Sequence, residues 1–152
     1  MAGYKKAKQK KVPSNRHVVQ RKNADQFYSE NPSWVFSNID EESWAFSKEH
    51  VGDIIWTEIL PKLQAFEQKT WADILVKDKK LNHAISAENL NKIAQKRLIE
   101  RKIEADSIIS LRLNGTHRIY GYMVEKVFNI LWYDDDHGNN NRCVCRSYLK
   151  HT

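Results

Sequence analysis

Five side chains in the last third of the chain have the chemistry that phosphate cleavage needs: Arg112, His117, Arg118, Tyr133 and His137. An arginine stabilises the negative charge that develops on a phosphate, and a histidine or a tyrosine transfers protons. Together they suit metal-independent cleavage of RNA, in which the neighbouring 2′-hydroxyl attacks phosphorus. The alternative interpretation is that these common residue types belong to an ordinary sheet surface and core.

Whether the two arginines converge depends on the turn at Asn114 and Gly115, the dipeptide that most strongly indicates a hairpin. A two-residue turn pairs Arg112 with His117, and Arg118 then points to the opposite face from Arg112. A three-residue loop with a glycine bulge places both arginines on one face. The sequence leaves both registers open, and a shared phosphate site is better supported by the second.

Two groups of potential metal ligands lie near the end of the chain. The potential zinc ligands are His137, Cys143, Cys145 and His151. The single residue between the cysteines differs from the wider spacing of common zinc knuckles. The acidic run at residues 134–136 is not followed by the glutamate that ends a calcium loop, since Cys145 stands at that position. We therefore predict no metal site and no cofactor, and we interpret the acidic run as a solvated turn.

Cys143 and Cys145 also indicate the cellular compartment in which the protein is expected. A bridge between Cys143 and Cys145 would close almost no loop and would strain the disulfide, so reduced thiols of a cytoplasmic protein are expected. The first residues lack the apolar stretch of a signal peptide. No run approaches the roughly 18 apolar residues that cross a bilayer, so no membrane association is predicted.

Positive charge is concentrated at the start of the chain. Eight of the 25 basic residues lie in residues 1–22, which contain no acid, and the other 17 are outnumbered by 19 acidic residues. This asymmetry is typical of an arm that contacts phosphates, although a solubilising tail is the alternative. Residues 1–24 lack apolar periodicity, so we expect a disordered arm that binds nucleic acid, RNA rather than DNA. The cations assigned to binding are Lys5, Lys6, Lys8, Lys10, Lys11, Arg16, Arg21 and Lys22.

The segments that must position these residues follow the arm. Residues 25–50 are rich in aromatic side chains, which we interpret as a segment wrapped onto the core. Apolar residues then recur at helical spacing between about residues 51 and 102. Pro61 should kink or restart the first helix, Thr70 and Asp73 resemble a capping box, and Ser86 should begin the last helix.

After residue 106 the pattern becomes extended. Residues 107–113 and 116–123 flank the Asn-Gly turn, residues 127–133 should form a central strand, and residues 143–149 a last strand. Helices followed by an antiparallel meander define an α+β fold. We therefore predict one α+β domain over residues 25–152, with helices at about 51–102 packed on an antiparallel sheet at about 107–149.

Residues 111–122 (Leu-Arg-Leu-Asn-Gly-Thr-His-Arg-Ile-Tyr-Gly-Tyr), residues 127–133 and the following Asp-His pair resemble the sheet of the RelE/YoeB/ParE toxin superfamily. The resemblance covers residues 107–137. It implies that Arg118 contacts the scissile phosphate, that His137 carries protons, and that Arg112 loosely matches a basic residue on the preceding strand. It also implies helices before an antiparallel meander.

Two hypotheses of function follow. The first is a toxin-like, metal-independent endoribonuclease that acts on mRNA or ribosome-associated RNA, with an antitoxin or host protein as a further partner. Arg118 and Arg112 would hold the phosphate, and His137, with Tyr133 or His117, would transfer protons. The second is a non-catalytic accessory protein of a phage or mobile element that binds nucleic acid or a protein.

Overall fold

The computed structural model describes residues 27–42, 46–135 and 144. The predicted basic arm, His137, both cysteines and most of the predicted last strand lie outside these residues. The fold is mixed α and β, as predicted, with short helices and one five-stranded sheet.

The sheet has the strand order β1-β5-β4-β3-β2. Its strands are β1 (Ser33–Val35), β2 (His83–Ser86), β3 (Ser107–Asn114), β4 (His117–Val124) and β5 (Val127–Asp134). Strands β2 to β5 pair antiparallel, which confirms the meander predicted after residue 106 for its first three strands. The prediction that β5 is buried on both faces is confirmed, since all but its first residue are buried, but β5 is an inner strand between β1 and β4, and β4 is the middle strand.

Two strands come from segments that were not predicted to be extended. Strand β1 pairs parallel with β5 and makes the sheet mixed, whereas a purely antiparallel sheet was predicted. Strand β2 covers the other edge by pairing with β3. Both are only three or four residues long, too short for a period-two pattern to appear, and their extended form comes from pairing with longer strands.

Most of the helical residues that the structure describes lie between β1 and β3. They form α1 (Lys48–Val51), a π-helix (Ile55–Ile59), α2 (Leu60–Phe66), a second π-helix (Asp73–Lys77), a 3-10 helix (Ala87–Asn89) and α3 (Lys92–Glu100). Pro61 lies in the first turn of α2, where its missing N–H costs nothing, so the predicted restart is confirmed.

The predicted capping box is present. The Thr70 N–H donates to Asp73 Oδ2 over 3.1 Å, and the Asp73 N–H donates to Thr70 Oγ1 over 3.2 Å. The helix start predicted at Ser86 is confirmed only for the short 3-10 helix, whose N-cap residue is Ser86 without a side-chain capping hydrogen bond, because α3 itself begins at Lys92. Helix α3 is capped instead by Asn91, whose side chain accepts from the Ala94 N–H over 2.7 Å.

Each face of the sheet contributes to its own buried cluster. The first cluster contains Leu111, Ile119 and Tyr133 of the sheet together with Ile59, Leu63 and Phe66 of the helical region. The second contains Ile108, Tyr120 and Trp132 of the sheet together with Leu90, Ala94 and Leu98. We call these two sides of the sheet the α2 face and the α3 face.

Candidate anion-binding surface

Arg112 of β3 and Arg118 of β4 lie directly opposite each other beside the β3–β4 turn. A register shift between Arg112 and Asn114 allows this pairing, while Asn114 pairs with His117 across the turn. The first register considered, Arg112 opposite His117, is therefore wrong. The observed pairing places both arginines on the α3 face, since they alternate with Leu111 and Ile119 of the α2 face.

Two like charges directly opposite each other destabilise a strand pair unless an anion or a carboxylate offsets them. Asp134 of β5 is the partner of Arg118 on its other side, and its side chain is 2% exposed. Three adjacent strands thus carry a row of Arg112, Arg118 and Asp134, with one more positive than negative charge. In this row, which we call the arginine row, the fold brings together two of the five predicted residues, Arg112 and Arg118.

Arg118 is held against its own hairpin. Its Nη1 donates to the Gly115 carbonyl over 2.6 Å and to the His117 carbonyl over 3.2 Å. Gly115 has a φ of +44°, a conformation that favours glycine, and the guanidinium thus caps the turn at that residue. The charge of Arg118 is therefore used in part to stabilise the turn.

Arg112 is fixed through its main chain. Its N–H donates to Oδ1 of Asn82 over 2.9 Å, and Nδ2 of Asn82 donates to the Ile74 carbonyl over 3.1 Å. Asn82 is 3% exposed, just before β2 begins. It extends the β2–β3 hydrogen bonding by one more bond, next to the register shift that sets Arg112 opposite Arg118. No sequence signal marked Asn82.

His117 and Tyr133 lie on the other side of the sheet. Nδ1 of His117 is hydrogen bonded to the Tyr133 hydroxyl, and Tyr133 is fully buried in the cluster of the α2 face. The structure therefore brings these two candidates together, but it separates them from Arg112 and Arg118 by the thickness of the sheet. His137 lies outside the described residues, three positions after β5 ends at Asp134.

A second polar group, which the sequence did not indicate, lies deeper on the α3 face. Nε and Nη2 of Arg97 donate to Oδ2 and Oδ1 of Asp40, both over 2.8 Å. Trp132 Nε1 also donates to Asp40 Oδ2 over 3.2 Å. Burial by itself would raise the pKa of Asp40, but these hydrogen bonds and the nearby arginine charges hold the pKa below its usual value. Because 57 residues separate the two partners, no local pattern could have revealed the pair.

Tyr122 lies in the same region. Asn38 Nδ2 donates to the Tyr122 hydroxyl over 3.2 Å and to Asn129 Oδ1 over 3.0 Å. Arg101 Nη2 donates to the Asn38 carbonyl over 2.7 Å. Burial raises the pKa of Tyr122 to about 12, against a smaller opposing effect of the Arg101 charge. These contacts tie the segment after β1 to α3 and to the sheet.

Within the described parts of the chain, no group of three or more His, Cys, Asp and Glu side chains is arranged to hold a metal ion. The potential zinc ligands named above lie outside those parts. Across the same described segments, no helix combines the length and the apolar character needed to cross a bilayer.

The chain was compared with protein-family models, curated protein sequences and solved structures, and none of them matches it. The likeness to the RelE/YoeB/ParE superfamily consequently stays a prediction that depends on residues 107–137 alone.

Proposed function

We propose that the protein binds RNA, and that a phosphate of the bound strand lies at the arginine row on the α3 face. The observation that carries this proposal is the direct pairing of Arg112 with Arg118, which concentrates positive charge at the hairpin end of the sheet. A phosphate between the two strands would offset the repulsion of that pair. We also propose that the helices pack as a layer on the sheet and leave the hairpin end of the sheet open to the ligand.

The amino-terminal arm would add affinity that does not depend on sequence. Its eight cations, without any acid, match the charge of a nucleic acid backbone. The body of the protein, in contrast, has more acidic than basic residues. We propose that the arm supplies the general attraction and that the arginine row fixes the position of one phosphate. A cytoplasmic location is part of this proposal, since RNA is available there.

The test is a titration of the full chain against a labelled single-stranded RNA and the DNA of the same sequence, over a range of salt concentrations. The slope of log K against log salt is negative, and each lost phosphate contact should make it shallower by about 0.7 for a single strand. Deletion of residues 1–24 should weaken binding strongly, and Arg112→Ala combined with Arg118→Ala should weaken it further. Lys126→Ala is the matched control, because Lys126 is a half-exposed cation beyond the far end of β4.

The proposal fails if the wild-type chain does not bind RNA, or if loss of both arginines changes affinity no more than Lys126→Ala does. Equal affinity for RNA and DNA would contradict the preference for RNA.

Cleavage of the bound RNA is the second candidate function. It is favoured by the position of Asp134, which ends β5 and pairs with Arg118. Along the sequence, His137 follows this member of the arginine row by three residues. In this proposal the phosphate lies at the arginine row, the 2′-oxygen attacks phosphorus, and the bond from phosphorus to the 5′-oxygen of the next nucleotide breaks. His137 accepts the proton of the 2′-hydroxyl, and water protonates the departing 5′-oxygen. His117 and Tyr133 have no part in it, because they lie on the α2 face.

Cleavage is tested by incubating the protein with mRNA and ribosomes in EDTA, which removes contaminating metal-dependent nucleases. Toxin-like growth arrest on expression, suppressed by His137→Ala, supports cleavage and an antitoxin partner. Unchanged cleavage in His137→Ala would exclude the proposed reaction. Binding without cleavage would leave the non-catalytic accessory role, in which a host protein is a further partner.

A further inference from the structure

Arg112 and Arg118 face each other, yet their surroundings differ. Arg118 Nη1 donates to two carbonyls of its own hairpin, and Arg118 has the buried carboxylate of Asp134 as its neighbour in β5. A ligand that binds at Nη1 of Arg118 would compete with the 2.6 Å bond to the Gly115 carbonyl. Arg118 is therefore engaged before any ligand arrives.

Arg112 differs from Arg118 both in its hydrogen bonds and in its position relative to Asp134. Among the residues that the structure describes, its guanidinium has no hydrogen-bond or ion-pair partner, and its side chain is partly exposed. Strand β4 lies between β3 and β5, so Arg112 stands one strand further from Asp134 than Arg118 does. Within the described residues, the Arg112 guanidinium therefore has no counterion.

We infer that Arg112, rather than Arg118, is the side chain that contacts the RNA phosphate, and that Asn82 is the positioning residue that aims it. This inference rests on the proposed function. It reverses the roles implied by the resemblance to the toxin superfamily, in which Arg118 matches the arginine at the scissile phosphate. Arg118 becomes a cap of the hairpin, and its charge faces Asp134.

The role of Asn82 follows from its two hydrogen bonds. Its side chain links the Arg112 N–H to the Ile74 carbonyl of the second π-helix, and it is almost completely buried. The bond holds the main chain of β3 immediately before the register shift at Leu113. Without it, the strand could slip to the regular two-residue hairpin, which sets Arg112 opposite His117.

The experiment compares Arg112→Gln with Arg118→Gln in RNA titrations over a range of salt concentrations. Glutamine removes the charge at either site, but at residue 118 its amide can still donate to Gly115. We expect Arg112→Gln to weaken binding about tenfold, as loss of a charged hydrogen bond does. The negative slope of log K against log salt should become shallower by about 0.7. Arg118→Gln should leave the slope unchanged and the affinity within about twofold of wild type.

Asn82→Ala tests positioning through a double-mutant cycle. It should weaken RNA binding in the wild-type background and have no further effect in the Arg112→Gln background, because it acts only through Arg112. An Asn82→Ala variant that weakens binding equally in both backgrounds would show a purely structural role. Urea denaturation of each variant verifies that it is folded under the conditions of the titration.

Three outcomes would overturn the inference. A lower salt slope in Arg118→Gln with none in Arg112→Gln would assign the phosphate to Arg118. Equal losses in both variants would mean that the arginines share it, and the proposed function would stand. Absence of RNA binding by the wild-type chain would end both the inference and the proposed function.

Discussion

His117 and Tyr133 are hydrogen bonded through Nδ1 and the phenol hydroxyl on the face of the sheet opposite Arg112 and Arg118. The four residues lie close together along the chain and on adjacent strands, yet alternation of side chains across β4 divides them into two pairs. One pair belongs to a buried cluster and the other to a charged surface. Four candidates that look like one site by residue type are therefore two separate features.

We expect His117→Gln and Tyr133→Phe to leave RNA affinity within about twofold of wild type, because neither side chain is on the arginine row. Each should lower the free energy of unfolding by about 1 kcal/mol through loss of the shared hydrogen bond. Urea denaturation and RNA titration of the same preparations measure the two effects. A large loss of RNA affinity in a stable His117→Gln variant would return His117 to the ligand site.

Asp40→Asn should destabilise the protein by about 3 kcal/mol, since it breaks a buried bidentate ion pair with Arg97. Asp40 is 1% exposed and the Arg97 side chain 18% exposed, so water replaces the lost partner poorly. Glu42→Gln is the matched control, because Glu42 contacts the same guanidinium over 3.2 Å from a side chain that is 74% exposed. Its cost should be about 0.5 kcal/mol or less. Equal losses of unfolding free energy in the two variants, measured by urea denaturation, would show that burial does not strengthen the Asp40–Arg97 pair.

Tyr122 gives the protein a specific loss of stability at high pH. Its pKa is raised to about 12 by burial, so the unfolded chain loses this proton first, near its ordinary pKa of about 10. The contribution of the neutral phenol is complete below about pH 10 and is lost as the pH rises towards 12. From pH 9 to 11, the wild-type chain should lose about 1 kcal/mol more than Tyr122→Phe. Equal losses of stability in the two proteins would show that Tyr122 ionises as readily in the folded protein as in the unfolded chain.

The start of α3 can be tested by two cap variants. Asn91→Ala should cost about 1 kcal/mol, because the Asn91 side chain accepts from the Ala94 N–H. Ser86→Ala should cost less than about 0.5 kcal/mol, since Ser86 is exposed and its side chain makes no capping hydrogen bond. Thermal unfolding of both variants measures the difference. A larger cost for Ser86→Ala would indicate that the helix begins where the sequence pattern suggested.

Gly121 is the position in β4 where a side chain has no room. A Cβ atom there would lie 2.2 Å from the Asn129 carbonyl oxygen and 2.7 Å from the Phe128 ring. Gly121→Ala should therefore destabilise the sheet by about 3 kcal/mol, as overpacking of a core does. Gly115→Ala, where a Cβ meets nothing within 4 Å but φ is +44°, should cost about 1–2 kcal/mol. A Gly121→Ala variant as stable as wild type would require the β4–β5 pair to be looser than described.

Features that depend on neighbours in the chain were predictable. The hairpin at Asn114 and Gly115, the capping box of Thr70 with Asp73 and the restart at Pro61 each require only a few consecutive residues. The three long strands were also found, because eight residues are enough for an extended pattern to appear. The sequence by itself thus determined the mixed fold and the burial of β5 on both of its faces.

Tertiary structure decided the features that require residues far apart in the chain to meet. The β1 strand exists through its pairing with β5, and the Asp40–Arg97 pair joins segments that share no local pattern. Above all, the structure has one of the two hairpin registers that the turn residues permit, with a register shift next to Arg112 where the Arg112 N–H donates to Asn82. Because side chains alternate along a strand, one position of register decides which face each arginine occupies, and a local pattern leaves that position open.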